Sequence, residues 1–192
     1  MANSIDAILA IEKANRQNVI TDIVRSLGQA RGYDRYILFA ASSSYERIVK
    51  QIYWIGGDWF DDGSEATATR NMQVCPVTRH PLHLSEPFFW TKQYNDRGER
   101  YRIVRHPRGN GIHGLQIPIF GPTGLEGAVS LGGKDIDSSS EERILLSQIG
   151  MAAFRAARKL ITVNPFLAFH RVSVKSSRGL PPAGARPKLL PL

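Results

Sequence analysis

The chain has 192 residues, of which 42% are hydrophobic and 9% aromatic, enough for one domain with a sizeable core. This composition excludes a collagen, a coiled coil or a wholly disordered chain. No stretch approaches the roughly 18 apolar residues of a membrane span, and Asp6, Glu12 and Asp22 interrupt the region where a signal peptide would be apolar. The lone cysteine, Cys75, cannot form an internal disulfide. We therefore predict a cytoplasmic protein with no membrane segment.

The formal net charge of +8 is concentrated near the end of the chain. Residues 171–192 hold five basic and no acidic residues, which leaves a net charge of +3 for residues 1–170. Because residues 1–170 are only weakly positive, their charge gives no indication of a nucleic-acid-binding surface. Residues 173–192 are rich in proline and glycine and lack an apolar period, which predicts disorder. The expected organisation is one domain over residues 1–170 and a basic, proline-rich tail over residues 171–192.

Hydrophobic periodicity predicts the elements of the first half of the chain. The first 31 residues have helical spacing, and Gly28 and Gly32 can end the run. Residues 33–41 and 47–54 are rich in aromatic and β-branched side chains, which favours two paired strands. A short helix is expected around residues 58–62.

The second half gives clearer signals. Residues 91–106 are polar with aromatic residues at helical spacing, which predicts a surface helix. Alternating apolar residues on both sides of a Gly-Pro-Thr-Gly turn at 121–124 predict a hairpin. Ser139 and Glu142 form a capping box for a helix that ends near residue 161. This order predicts an α+β fold, an α/β/α sandwich with a central antiparallel sheet, similar to GAF and PAS sensor domains.

Three patterns that could suggest chemistry have simpler interpretations. Glycines at 109, 111 and 114 match the dinucleotide fingerprint, but they do not follow a strand and open a helix, so we interpret them as a turn. Cys75, His80 and His83 are too few for a structural zinc site. No framed nucleophile or carboxylate pair stands out. We therefore predict no enzyme activity, no metal and no cofactor.

Two motifs carry a family resemblance. In residues 75–90, CPVTRHPLHLSEPFFW, the residues Pro-Val, Arg-His and Pro-Phe-x-Trp recur with fourteen positions from Pro76 to Trp90. The second motif is Gly-Leu-x-Ile-Pro-Ile at 114–119, followed by Gly-Ala-Val-Ser-Leu at 127–131. At this spacing, the chain resembles the autoinducer-binding domain of LuxR-type quorum-sensing regulators over about residues 5–170. Members of that family bind N-acyl-homoserine lactones, so the resemblance implies a sensor for such a signal.

The resemblance also implies a set of ligand-binding residues. Trp90 would pack against the lactone ring, Trp59 would donate its indole N–H to the lactone carbonyl, and Tyr53 or Trp54 would bond the acyl carbonyl. Ser130 would reach the head group with its hydroxyl. Trp and Tyr suit this work because each offers an apolar wall and one directional polar atom.

Cys75 stands where the family has an aspartate that accepts the ligand's amide N–H. A thiol is a poorer acceptor than a carboxylate, and loss of the charged bond would cost about 1.5–3 kcal/mol. Trp59 lies sixteen residues before Cys75, where the family has about thirteen. The register of the aromatic residues around Trp59 is therefore left open by the sequence.

The chain shows no helix-turn-helix pattern after the sensor region, so we expect a truncated LuxR-type regulator that takes part in transcription regulation without specific DNA binding of its own. The expected partners are a small-molecule autoinducer and a second chain, in a homodimer or in a heterodimer with a full-length regulator. An alternative is a dominant-negative antagonist that dimerises with an intact regulator and binds no ligand.

Overall fold

A computed structural model describes residues 4–42, 48–59, 76–79, 84–95 and 98–163. The described helices are α1 (Ser4–Glu12), α2 (Gln17–Gln29), α3 (Pro76–Arg79) and α4 (Ser140–Val163). The described strands are β1 (Arg35–Ala41), β2 (Val49–Gly56), β3 (Phe88–Asn95), β4 (Gly98–Val104), β5 (Ile112–Gly121) and β6 (Gly124–Gly133). The strands form one sheet in the order β2-β1-β6-β5-β3-β4, and every described pair is antiparallel. The predicted α+β fold with a central antiparallel sheet is confirmed.

The sheet buries both of its faces. One face, here called the helix face, packs against α1, α2 and α4. Its buried cluster includes Leu115 and Leu131 of the sheet and Phe154 of α4. The opposite face, here called the tryptophan face, carries the second cluster of buried side chains, whose strand members are Ile37, Phe39, Val49, Phe88, Trp90, Ile112 and Ala128. Trp59 and Val77 pack onto this second face from outside the sheet. Side chains at adjacent positions in a strand point to opposite faces, so each central strand contributes residues to both clusters.

The predicted hairpin and the last helix are confirmed. Strands β5 and β6 pair over their whole length around the turn, with Gly124 at a φ of 111° that favours glycine. Helix α4 begins directly after Ser139, whose hydroxyl accepts the backbone N–H of Glu142 at 3.3 Å. This bond satisfies one of the free amide groups that open a helix. Glu142 also pairs with Arg31, which joins the start of α4 to the chain after α2.

The predicted surface helix over residues 91–106 is wrong, because this segment forms the hairpin of β3 and β4. Its aromatic residues fit a helical spacing, but the pairing of β3 with β5 aligns Phe89 with Leu115 and buries Thr91 and Lys92. The sheet edge offered by β5 decides the conformation, since intrinsic propensity is a weak preference that tertiary contacts override.

Other predictions from the sequence have mixed outcomes. The single helical region of the first 31 residues divides into α1 and α2, and the two paired strands are β1 and β2. The glycines at 109 and 111 lie in a bend between β4 and β5, with φ of 84° and 144°, and not between a strand and a helix. Most of the helix expected at residues 58–62 lies outside the described residues. The whole tail at residues 171–192 also lies outside them. No helix in the described ranges is long and apolar enough to cross a membrane.

Candidate functional site

Two stacked indole rings mark the tryptophan face. Trp90 lies on β3 and is 1% exposed, and Trp59, three residues after β2, is 7% exposed. Their ring centroids are 6.2 Å apart with 28° between the planes, an offset-stacked geometry. Tyr101 of β4 stands on the other side of Trp90, with ring centroids 6.2 Å apart and a tilt of 52°. The three rings form a continuous aromatic wall that runs from the end of β2 to the sheet edge at β4.

Two neighbouring glycines make room for these rings. Gly114 of β5 is paired with Trp90 on one side and with Gly132 of β6 on the other. A Cβ atom at Gly114 would lie 2.4 Å from Cζ2 of Trp90, and one at Gly132 would lie 3.1 Å from the ring of Trp59. The indoles therefore rest directly on the backbone of the two central strands. Side chains at these two positions would push both rings away from the sheet.

The two indole N–H groups differ in their hydrogen bonding. Nε1 of Trp59 donates to the backbone carbonyl of Gly56 at 3.1 Å, so this group is already used within the protein. Nε1 of Trp90 is buried and has no hydrogen-bond partner among the described residues. A buried donor without a partner costs about 1–3 kcal/mol. Trp90 thus presents a donor that a bound molecule could satisfy.

Gln116 is a second buried polar group on this face, and the sequence analysis did not single it out. It lies between Leu115 and Ile117, which belong to the helix-face cluster, so strand alternation turns Gln116 toward the tryptophan face. The residue is 1% exposed, and neither Oε1 nor Nε2 has a partner among the described residues. Its cross-strand neighbours are Phe88 and Ser130. The signal available in the sequence was a polar residue inside an apolar strand.

Ser130 lies on the same face as the two tryptophans. It is 3% exposed and pairs with Ile37 of β1 on one side and Gln116 of β5 on the other. Val129 and Leu131 beside it pack into the helix-face cluster, which confirms that Ser130 points the other way. The structure therefore places Trp59, Trp90 and Ser130 on one face of the sheet.

Arg35 adds a buried positive charge near this face. Its side chain is 5% exposed, and its Nε donates to Oδ1 of Asp34 at 3.1 Å. Arg35 pairs with Gly132, the glycine beneath Trp59, at the end of β1. The pairing therefore puts the backbone of Arg35 beside the strand position that Trp59 covers.

Tyr53 and Trp54 lie on the helix face. The pairing of β1 with β2 shifts by one residue, so that Leu38 faces Trp54, Phe39 faces Ile52 and Tyr53 is the extra residue of a bulge. Both aromatic side chains consequently pack against the helix-face cluster. The structure does not bring them together with Trp59, Trp90 and Ser130. A bulge leaves no trace in hydrophobic spacing that would have revealed this placement.

Both aromatic residues of the bulge have partners on the helix side. Trp54 stacks on Tyr36 with centroids 5.1 Å apart and 11° between the planes, and the guanidinium of Arg25 lies 5.5 Å from the centre of the indole. Tyr53 contacts Phe154 of α4 at 5.6 Å between centroids. Burial raises the pKa of Tyr53, and it raises that of Tyr36 to about 12. These hydroxyls are neutral and act as packing groups with a polar end.

Cys75, His80 and His83 lie outside the described residues, so the role of Cys75 stays a prediction. Within the described ranges, no group of three or more His, Cys, Asp or Glu side chains could hold a metal ion. The chemistry that the described residues offer on the tryptophan face is binding: a wide aromatic wall, two unpaired polar side chains and a serine hydroxyl.

Comparison with protein families identifies this architecture. The family model described as "Autoinducer binding domain" matches residues 17–160, three quarters of the chain. The chain belongs to the autoinducer-binding domain family of LuxR-type regulators. The match runs from the start of α2 into α4 and so includes each of the six described strands. The resemblance seen in the two sequence motifs is confirmed, and an autoinducer-binding domain is a signal-binding regulatory domain.

Solved structures and curated proteins add little to this assignment. One similar solved structure is the phycoerythrobilin-bound GAF domain of a cyanobacterial phytochrome, with 14% identity and a TM-score of 0.43 over 83% of this chain and 98% of that chain. The search of curated proteins finds no match to this autoinducer-binding domain.

Proposed function

We propose that the tryptophan face binds a small amphipathic signal of the N-acyl-homoserine lactone class and that the domain uses it to regulate transcription. The observation that carries the proposal is the buried indole of Trp90, stacked on Trp59 with its N–H unpaired. Membership in the autoinducer-binding family supports a small-molecule signal as the occupant.

The chemistry of this ligand class fits the residues of the face. An acyl-homoserine lactone has a compact head with two carbonyls and one amide N–H, and an apolar tail. Its burial requires a few fixed hydrogen-bond partners within an apolar surface. Trp90 and Ser130 offer donors to the head, and the ring of Trp59 covers apolar area beside it. Phe39, Phe88 and Ile112 provide apolar surface on the same face.

The described hydrogen bonds favour a division of roles between the two indoles. The resemblance to the family assigned the lactone-carbonyl donor to Trp59, whose N–H bonds Gly56 in this structure. Because the N–H of Trp90 is the unpaired one, we assign the donor to Trp90 and the apolar wall to Trp59. Cys75 remains a predicted neighbour of the ligand's amide, and the exchange Cys75→Asp would then tighten binding.

Thermal unfolding with a panel of acyl-homoserine lactones of different tail length tests the proposal. A ligand at one hundred times its dissociation constant stabilises the protein by about 2.7 kcal/mol, which corresponds to a rise in Tm of roughly 5–10 °C for a domain of this size. The ring-opened acyl-homoserines serve as matched controls, because they keep the tail and change only the head. The proposal is rejected if no lactone raises the Tm above that of its ring-opened control.

Dimerisation with an intact regulator remains a prediction of the sequence. Size-exclusion chromatography of this chain mixed with a full-length LuxR-type homologue would test it. A mixed complex would support the antagonist hypothesis, and separate elution of the two proteins would contradict it.

A further inference from the structure

Strand β4 is an edge of the described sheet. It pairs with β3 on one side without a register shift, and no described strand lies on its other side. The outer side of an edge strand presents backbone N–H and C=O groups with which another chain can pair. With seven residues, β4 is long enough to pair with an extended peptide.

The other edge of the described sheet, β2, is less regular. Its pairing with β1 shifts register twice, between Leu38 and Phe39 and between Ala40 and Ala41. Such irregularities twist an edge strand and hinder the addition of a further strand. The described pairing of β4 contains none, so β4 is the edge better suited to strand addition.

Arginines make the edge at β4 strongly basic. Residues 98–108 contain one acidic residue and four arginines, Arg100, Arg102, Arg105 and Arg108. All four arginines are exposed, and none forms an ion pair with another described residue. Charge complementarity therefore favours an acidic partner at this edge.

The two faces of β4 differ in character. Val104 packs against the helix-face cluster, and Tyr101 packs against the cluster of the tryptophan face. Because side chains alternate along a strand, Arg100 and Arg102 lie on the side of Val104, and Ile103 lies on the side of Tyr101. Ile103 is 41% exposed. An added strand would meet two arginines on one face and an exposed isoleucine on the other.

We propose that β4 binds an extended acidic segment of a partner protein, which continues the sheet as a further strand. Backbone hydrogen bonds along the edge supply affinity, and alternate side chains supply specificity. Carboxylates of the partner lie beside Arg100 and Arg102, and an apolar side chain lies beside Ile103. The inference does not rest on the proposed function, because it uses the edge of the sheet and not the signal site on its tryptophan face.

Two other occupants fit this edge less well. Pairing of β4 with a second copy of itself brings the arginines of the two copies close together, and like charges on adjacent strands are destabilising. A nucleic acid would be attracted by the arginines, but its phosphates use neither the backbone C=O groups of the edge nor the apolar surface of Ile103. An acidic peptide uses all three features.

Fluorescence anisotropy of the labelled heptapeptide EVEVEVE, titrated with the full chain, tests the inference. Its glutamates and valines alternate as the two faces of β4 require, whereas the control peptide EEEVVVE has the same composition and charge without alternation. The protein variant carries Arg100→Gln and Arg102→Gln. Its matched control carries Arg155→Gln and Lys159→Gln, which remove the same charge from exposed positions on α4.

We expect the wild type to bind EVEVEVE more tightly than EEEVVVE. The β4 variant should bind EVEVEVE about five- to tenfold more weakly, the effect of two cross-strand ion pairs, and the α4 control should bind it like the wild type. Equal losses in the two variants, or equal affinities for the two peptides, would overturn the inference, because non-specific attraction of a polyanion gives that result.

N-methylation of the peptide tests the backbone pairing. EVEVEVE methylated on the backbone nitrogen of every inner residue keeps its charges and side chains but cannot donate those hydrogen bonds to a strand edge. We expect it to bind at least about tenfold more weakly, the effect of one lost hydrogen bond or more. Equal binding of the methylated and unmethylated peptides would show attraction by the arginines alone and overturn the inference.

Two further measurements address the other occupants. Binding of a single-stranded oligothymidylate that the β4 variant weakens, with no binding of EVEVEVE, would assign the edge to a nucleic acid. A wild-type dimer in sedimentation that the β4 variant alters, again with no peptide binding, would assign the edge to a second copy of the chain. Either result would overturn the inference.

Discussion

The indole ring of Trp90 rests on the α-carbon of Gly114, its cross-strand neighbour. A methyl group at Gly114 would lie 2.4 Å from Cζ2 of Trp90 and 2.5 Å from the carbonyl oxygen of Leu131. The second contact is with backbone, so rotation of one side chain cannot relieve the crowding. The close approach of strand and ring therefore requires glycine at this position.

The first prediction is that Gly114→Ala destabilises the domain by about 1–3 kcal/mol, the usual cost of overpacking a core. Urea unfolding measures this loss. Gly121→Ala on the same strand is the control, because its new methyl group would meet the side chain of Glu126, which can move. Equal losses for the two variants would show that the ring of Trp90 does not rest on the strand.

The second prediction concerns the two indole N–H groups. Trp90→Phe should weaken binding of an acyl-homoserine lactone about tenfold, because it removes the donor to the ligand. Trp59→Phe breaks the bond to Gly56 and should lower the free energy of unfolding by about 1 kcal/mol with less change in affinity. Calorimetric titration and urea unfolding of both variants give the two quantities. The opposite pattern would return the donor role to Trp59.

The third prediction concerns Trp54, which lies beside the bulge in β2. Trp54→Leu removes the stack on Tyr36 and the contact with Arg25, and should destabilise the domain by about 2–3 kcal/mol. The affinity for an acyl-homoserine lactone should stay within about twofold, because Trp54 faces the helices. Measurements at a temperature where the variant is fully folded separate the two effects.

Tyr53→Phe is the matched variant for the same bulge. It removes only the hydroxyl of the tyrosine beside Trp54 and keeps the ring against Phe154. We expect unchanged ligand affinity. A large loss of affinity in either variant would place the bulge residues in the ligand site, as the family resemblance first implied.

The sequence predicted those parts of the fold whose local pattern and tertiary contacts agree. The hairpin of β5 and β6 combines strict alternation with a turn that needs glycine, and α4 combines a cap with a continuous apolar stripe. The hairpin of β3 and β4 was missed because its aromatic residues also fit a helix. Only the neighbouring edge of β5, through the pairing of Phe89 with Leu115, makes this segment a strand.

The sequence likewise predicted only part of the candidate site. Trp90 and Ser130 lie in motifs with fixed spacing, and the structure places both on one face with Trp59. Tyr53 and Trp54 could not be assigned to a face, because one extra residue in β2 reverses the alternation after it. Gln116 was not found because a lone glutamine in a strand reveals a missing partner only when its surroundings are known.

The last prediction concerns the loop before α4. Asp137 accepts the backbone N–H of Ser139 at 2.9 Å, and this bond, with a further bond from the Ser139 side chain and the nearby charge of Arg31, holds the pKa of Asp137 below its ordinary value of 3.8. A carboxylate whose pKa is lowered by folding contributes stability above its unfolded pKa, and this stability is lost as the pH falls through the folded pKa. Below about pH 4, the wild type should therefore lose stability partly through protonation of Asp137.

Asp137→Asn removes this contribution and keeps an acceptor for Ser139. Because Asp137 is exposed, solvent screening limits the effect to a few tenths of a kcal/mol, or about 1 °C in Tm for a domain of this size. Scanning calorimetry from pH 7 to pH 3 should show the variant slightly less stable at pH 7, with a difference from the wild type that shrinks as the pH falls below the unfolded pKa of Asp137. Asp135→Asn controls for loss of a negative charge in the same loop. A constant difference between Asp137→Asn and the wild type at every pH would contradict the charged hydrogen bond and leave Asp137 as a neutral cap.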